Sequence, residues 1–329
     1  MLHHNFIQIA LNLAKQGLGY VAPNPMVGCV IVKNNVIVAQ GYHQKYGEAH
    51  AEVNAITNLS STIKPQDCTI YVTLEPCCHF GKTPPCADLI IKKGFKKVVI
   101  CNLDPNPLVA GKGIANLKNA GIEVITGILE KEGKELNKRF FTFFEKKRPY
   151  IILKWAQTAD GFISKLPLPK NRADNRIGDD EQQLQSHTLR ANEMAIMVGK
   201  NTVLNDNPTL TTRLVNGKNP IRIFIDKNLE VPANFNIYNE EAKTIVFNSI
   251  KTEVNHTIEY IKLDFAKNVL PQIFNALYNL KIQSVIVEGG AFLINSLIQQ
   301  KLFDEVIVYT HKTLKFGKGV KAPITPINL

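Results

Sequence analysis

Short apolar runs alternate with stretches of helical period along the first 145 residues. VGCVIV (27–32), TIYVTL (69–74), KVVICN (97–102) and IEVITG (122–127) are strand-like, β-branched and apolar almost throughout. Between them FIQIALNLAKQ, HAEVNAITNL, ADLIIKKG and IANLKNAG repeat apolar positions at three- and four-residue intervals. This alternation predicts α/β layers around a mixed sheet. From about Glu145 to Pro149 a charged stretch ending in proline interrupts it, and YIILKWAQ opens a new series. The predicted domains are therefore 1–146 and 149–329. In the second, strands are expected at IRIFID, KTIVFN, IEYIKL, SVIVEGG and EVIVYT, with helices near 180–193, 269–280 and 291–300. SKLPLPKNRADN (164–175) reads as an exposed loop able to close over a ligand. No internal repeat or low-complexity block is evident.

At 329 residues the length also favours two domains. No apolar run reaches the roughly 18 residues needed to span a bilayer. The start, MLHHNFIQIALNLAKQG, reads as an amphipathic helix without a signal-peptide core, so a cytoplasmic protein without a membrane partner is expected. A net charge of +11 and a pI near 9.2 would suit nucleic acid or an acidic small substrate. The lysines are spread along the chain, with only a short EKKR cluster at 145–148 and no basic stripe interleaved with aromatics. A solvated lysine surface is expected, and no nucleic-acid partner.

His50, Glu52, Cys77 and Cys86, in HAEVNAI and TLEPCCHFGKTPPC, are the residues that carry chemistry. One imidazole and two thiolates make a tetrahedral Zn2+ site whose open fourth position takes water, which the metal acidifies. Glu52, two residues past the histidine near a helix start, reaches that water without competing for the metal and serves as the catalytic proton shuttle. In the related P-C-x-x-C arrangement two residues separate the cysteines, whereas here Pro76-Cys77 and Pro85-Cys86 flank a longer insert. A single such cysteine reads more simply as core filling, and a structural zinc could draw a fourth ligand from Cys78 or His79. Cys29, Cys68, Cys78 and Cys101 show no framework spacing and are expected reduced.

Around this quartet NPMVGCVIVK, GYHQKYGEAHAEVNAI, YVTLEPCCHFGKTPPC and DPNPLVAGKGI resemble the deaminase half of the bifunctional riboflavin-biosynthesis deaminase/reductases. The resemblance implies a cytidine-deaminase-like three-layer α/β/α domain and hydrolytic deamination of a phosphoribosylated diaminopyrimidinone. By carry-over Asn24 and His43 contact the pyrimidine or ribose, and Lys82, Asp104 and Asn106 line the ribose-phosphate end. Read by themselves, Asn24 between two prolines is a turn cap, Asp104-Pro105-Asn106-Pro107 is turn chemistry, and Lys82 is a solvated lysine.

In the second half, KWAQTADGFIS, AIMVGKNTVLNDNPTLTTR, PIRIFID and VEGGAFLINSLI are similar to the reductase half of the same family. The implied fold is dihydrofolate-reductase-like α/β. The implied reaction is NADPH-dependent reduction of the ribosyl side chain to ribityl. Thr202, Asp206 and the segment Gly290, Ala291, Phe292, Leu293, Ile294, Asn295, Ser296 are carried over as cofactor contacts, with Gln157 and Arg176. Asp174, Arg190, Leu210, Arg213 and Glu288 are carried over as substrate contacts, and Lys154 is placed near the sugar. Physically, Gly289-Gly290 between a strand and a helix allows close approach of a pyrophosphate, and arginines offer paired donors to a phosphate. Their plain readings are a strand-to-helix turn and surface arginines.

The chain departs from the family pattern where Asp174-Asn175-Arg176-Ile177 replaces Ser-x-Trp-Ile and Gln157 replaces a small residue. It also ends before the final strand pair usual in the family. Two other readings compete: a deaminase with an inactive reductase-like half serving dimer formation, and a tRNA or nucleoside base deaminase. A homo-oligomer is expected.

Overall fold

The structure, a computed structural model, describes residues 2–80, 84–169 and 172–324. The chain divides into two compact units, Met1–Lys147 and Arg148–Leu329.

The first unit runs α1 (Leu2–Ala14), β1 (Gly28–Lys33), β2 (Val36–Tyr42), α2 (Ala51–Thr57), β3 (Thr69–Leu74), α3 (Cys86–Lys93), β4 (Lys97–Asn102), α4 (Lys112–Asn119), β5 (Glu123–Thr126), α5 (Glu130–Leu136) and α6 (Lys138–Lys146). Its sheet has the order β2-β1-β3-β4-β5, with β1 antiparallel to both neighbours and β3, β4 and β5 parallel. Both faces are covered, which is why these strands read as continuous apolar runs. Cys29, Ile31, Ile70, Val72, Val98 and Ile100 pack toward Ala55, Ile90 and Leu117 of the helices on one side. Val30, Val32, Tyr71 and Val99 meet Phe6, Ile7, Ala10 and Leu11 of α1 on the other. Helix α3 stops where Gly94 takes a left-handed conformation (φ 79°), after two lysines that suit the negative end of its dipole.

Two features go beyond the sequence reading. Strand β2 pairs with β1 through a hairpin whose turn residues, Asn34 and Asn35, both have positive φ (50° and 63°). Adjacent asparagines tolerate that conformation and set a tight hairpin, so the Asn-Asn pair was the overlooked signal. Residues 130–146 form α5 and α6, where Phe140, Phe141 and Phe143 are buried despite the surrounding charge.

The second unit contains β6 (Tyr150–Gln157), β7 (Phe162–Lys165), α7 (Asp180–Asn192), β8 (Ala195–Gly199), α8 (Lys200–Asp206), β9 (Ile221–Ile225), β10 (Thr244–Asn248), β11 (Glu253–Asn255), β12 (Ile258–Lys262), α9 (Val269–Asn279), β13 (Ser284–Val287), α10 (Ala291–Gln299), β14 (Glu305–Thr310) and β15 (Gly319–Lys321). Its main sheet has the order β11-β12-β10-β9-β8-β13-β6-β14, parallel throughout except for β11. Helices α9 and α10 bury Leu270, Ile273, Leu277, Ile294 and Leu297 against Leu153, Trp155, Met197 and Phe247. Val203 of α8 packs with Ile196, Val198 and Phe224 on the opposite face. Helix α7 begins with a capping box between Asp179 and Gln182. Of the stretch read as an exposed loop, Ser164 and Lys165 end β7, which pairs with β15, Leu166 and Leu168 beyond them are exposed, and residues 170 and 171 lie outside the described residues.

Candidate active sites

The first site sits at the ends of β3 and β4, beside the first turns of α2 and α3. His50 is the residue before α2, in extended conformation, and Cys86 opens α3. Cys77 lies just beyond β3, held where Cys86 N donates to its Sγ (3.3 Å) and Ala87 N to its carbonyl (3.1 Å). Ligand residues up to 36 positions apart in sequence thus close into one cluster. His50 Nδ1 is 3.6 Å from Cys77 Sγ and 3.3 Å from Cys86 Sγ.

A tetrahedral zinc with Zn–S about 2.3 Å and Zn–N about 2.0–2.1 Å separates nitrogen from sulfur by about 3.6 Å. The donor set and its spacing therefore fit that metal. His50, Cys77 and Cys86 form the metal-ligating cluster found among the described residues. The thiol hydrogen bond from Cys86, with that from His50, holds Cys77 below the usual thiol range, so a thiolate is at hand. Glu52, 3 % exposed, stands in the first turn of α2. Burial, reinforced by Cys77, pushes its carboxyl up to about 7, and a bound dication would favour its carboxylate.

His43 Nδ1 donates to Ala49 O (3.0 Å), so its Nε2 accepts from Asn24 Nδ2 (3.1 Å). Burial lowers the His43 pKa, keeping the ring neutral, and its edge faces the His50 ring with centroids 5.4 Å apart. Asn24 and His43 therefore stand beside the cluster. Asp104 Oδ1 accepts from Asn106 N (2.8 Å) and Asn106 Oδ1 from Leu108 N (3.1 Å), so turn chemistry accounts for one oxygen of each. Burial pushes Asp104 up to about 7. Lys82 lies outside the described residues. Sequence reading missed Glu75, a buried carboxylate at the end of β3 that accepts backbone hydrogen bonds from Asp104, Gly111 and Ile114. An acidic residue closing an apolar strand was the available signal.

The second site lies at the carboxyl ends of β8 and β13, where ligands bind open parallel sheets. Arg190 of α7 forks onto Glu288 (Nε–Oε1 3.1 Å, Nη2–Oε2 2.6 Å) and donates to Thr211 O (3.2 Å). Burial alone would raise Glu288, but Arg190 and Lys154 outweigh it and hold the carboxyl at about 2. Burial lowers Lys154, whose Nζ lies 5.3 Å from the Tyr309 ring centre. His187, also missed, lies one turn before Arg190 and accepts from Arg213 N at Nδ1 (3.0 Å). Burial and the charges of Arg190 and Arg213 lower it to about 4.

Thr202 Oγ1 accepts from Gly290 N (3.0 Å), and a Cβ on Gly289 would come within 3.1 Å of it. The Gly290 amide is thus used inside the protein. Leu293 and Ile294 are buried in the core, whereas Phe292 is 87 % exposed. Ala291 opens α10, Asn295 is half-buried and Ser296 Oγ donates to Phe292 O (2.8 Å). Asp206 ends α8. Leu210, with positive φ (54°), sends its side chain into the core. Gln157 Oε1 accepts from Trp155 Nε1 (2.9 Å). Asp174 and Arg176 are exposed, and Arg176 pairs with Asp180 and Gly178 O. Arg213, also exposed, reaches Thr209 and Thr211.

These features define a zinc-binding deaminase joined to a reductase. The family description "Cytidine and deoxycytidylate deaminase zinc-binding region" matches residues 1–102, and "RibD C-terminal domain" matches 149–322. The chain is 44 % identical to the riboflavin biosynthesis protein RibD of Aquifex aeolicus over 96 % of its own length and 88 % of that protein's. It superposes on a diaminohydroxyphosphoribosylaminopyrimidine deaminase/5-amino-6-(5-phosphoribosylamino)uracil reductase from Thermotoga maritima with TM-score 0.87 and 39 % identity, covering 99 % and 92 % of the two chains. Acinetobacter baumannii RibD gives TM-score 0.89 at 32 % identity, covering 100 % and 92 %. The chain belongs to the RibD family, bifunctional deaminase/reductases of riboflavin biosynthesis. The readings as a base deaminase or a single-activity deaminase give way to this assignment.

Proposed function

We propose that the first unit hydrolyses the amino group from 2,5-diamino-6-(5-phosphoribosylamino)pyrimidin-4(3H)-one. The second unit then reduces the ribosyl side chain of the product with NADPH. The observation that carries the reading is the His50, Cys77, Cys86 triangle with Glu52 buried beside it.

His50, Cys77 and Cys86 would hold zinc, which when bound would make a water acidic enough to ionise near neutral pH. Glu52 takes the proton from the attacking water and returns it to the departing nitrogen. One C–O bond forms, one C–N bond breaks and ammonia leaves. Neutral His43 and Asn24 hold the pyrimidine or ribose, and Lys82, Asp104 and Asn106 the ribose-phosphate end. In the second unit the paired Arg190 and Glu288 stand with Lys154 at the sugar, with Asp174, Leu210 and Arg213 as further substrate contacts. Gly199, beside which a Cβ would meet nothing within 4 Å, leaves room for close approach of a dinucleotide. Thr202, Asp206, Gln157, Arg176 and residues 290–296 are assigned to NADPH, which supplies the hydride.

A cytoplasmic location suits the six free cysteines, and among the described residues no helix is long and apolar enough to cross a membrane. We assign a homo-oligomer, since β14 is an edge strand of the sheet among the described residues and edge strands can pair with another chain; light scattering after gel filtration tests this. The activity is tested by incubating zinc-replete protein with the diaminopyrimidinone phosphate and following ammonia release and NADPH oxidation separately. Both signals are expected. Absence of ammonia refutes the substrate, and ammonia without NADPH oxidation refutes the second activity.

A further inference from the structure

We propose that Glu75 is a positioning residue of the deaminase site, the buried carboxylate that fixes loop 104–114 to the strand end carrying Cys77. The proposal rests on the reading of that loop as the ribose-phosphate side of the substrate site.

Glu75 is 3 % exposed and continues the β3–β4 ladder through its own N–H to Asn102 O (2.9 Å). Both carboxylate oxygens are directed at the loop. Oε2 accepts from Asp104 N (3.3 Å) and Gly111 N (2.9 Å), and Oε1 accepts from Ile114 N (3.1 Å). These amides lie at the start of the loop, at its left-handed turn (Gly111 φ 80°) and in the first turn of α4. First-turn amides have no partner within their helix, and a negative charge there is favoured by the helix dipole.

The contact is close enough to constrain sequence. A Cβ on Gly113 would lie 2.1 Å from Pro76 O and 3.2 Å from Glu75 Oε1, so only glycine lets α4 seat against the Glu75-Pro76 segment. Cys77 follows directly, so one short segment binds the metal and locates the substrate loop. Asp104 and Asn106 each spend an oxygen on turns within the loop, which leaves the tie to the end of β3 to the three amides that Glu75 accepts. A solvated turn would not require a buried charge, because water would satisfy the same amides. A charge that accepts three amides converts an irregular loop into a preset surface.

The test compares wild-type full-length protein with Glu75→Gln and Glu75→Leu, all zinc-loaded. Hydrogen exchange across residues 104–114, zinc content, and kcat and KM for deamination are measured. In Glu75→Gln one oxygen remains as an acceptor. Zinc is expected at full stoichiometry, with faster exchange at Gly111 and Ile114, kcat within about twofold and KM raised about tenfold, the loss of a charge-assisted hydrogen bond. Glu75→Leu is expected to move exchange and KM further in the same direction. Unchanged exchange in Glu75→Gln overturns the proposal, as does faster exchange with unchanged KM. If wild-type protein releases no ammonia, the functional reading fails, while exchange still decides whether Glu75 holds the loop.

Discussion

Replacing Glu288 by glutamine removes one charge from a buried pair and leaves shape nearly intact. The Glu288 side chain is 9 % exposed and that of Arg190 13 %, and two N–H···O contacts of 3.1 and 2.6 Å join them. A carboxyl held at about 2 rather than 4.5 stabilises the folded unit at neutral pH by about 3 kcal/mol, each tenfold in proton affinity being about 1.4 kcal/mol. An independent expectation agrees: stranding one charge of a buried pair costs about 3–5 kcal/mol, and here Lys154 adds to the uncompensated positive charge. For a unit of this size that is a fall in Tm of about 6–12 °C. Trp155 is the chain's one tryptophan, buried in the core of this unit, so its fluorescence reports the second unit selectively. The pH dependence has a definite sign. The carboxyl is depressed on folding, so its contribution is complete above about pH 4.5 and is lost as pH falls toward 2. The difference between wild type and Glu288→Gln should therefore shrink in that window. A loss below about 1 kcal/mol at neutral pH, or a difference unchanged on acidification, would refute the electrostatic reasoning.

Three further outcomes are expected. Glu52→Gln should retain zinc by elemental analysis while deamination slows by about 10²–10⁴, and activity near wild type removes Glu52 from proton transfer. Cys77→Ser and Cys86→Ser should lose metal and lower the melting temperature together, because metal binding contributes to local folding; full zinc content in both overturns the ligand assignment. His187 is neutral in the fold and titrates near 4, so stability contributed by its neutral state is complete above about pH 6.5 and declines as pH falls toward 4. In the Trp155 melt, His187→Gln should flatten that decline, and an identical slope would show that His187 does not titrate there.

The sequence by itself determined element types and the metal donor set. Strands covered on both faces must be apolar throughout, and an amphipathic helix must repeat near every fourth residue, so β3, β4 and α1 are readable locally. His50-x-Glu52 and the two Pro-Cys pairs are legible for a similar reason, since zinc constrains residue type at fixed offsets. Strand β2 was missed because it lies at a sheet edge and mixes apolar with exposed positions. Tertiary structure alone decided the pairing of Arg190 with Glu288 across 98 residues, of Thr202 with Gly290 across 88, and of Glu75 with the amides of loop 104–114. No local pattern encodes such contacts. They follow from packing, which removes water from a charge or an amide and so compels it to find whichever partner the fold has brought within reach.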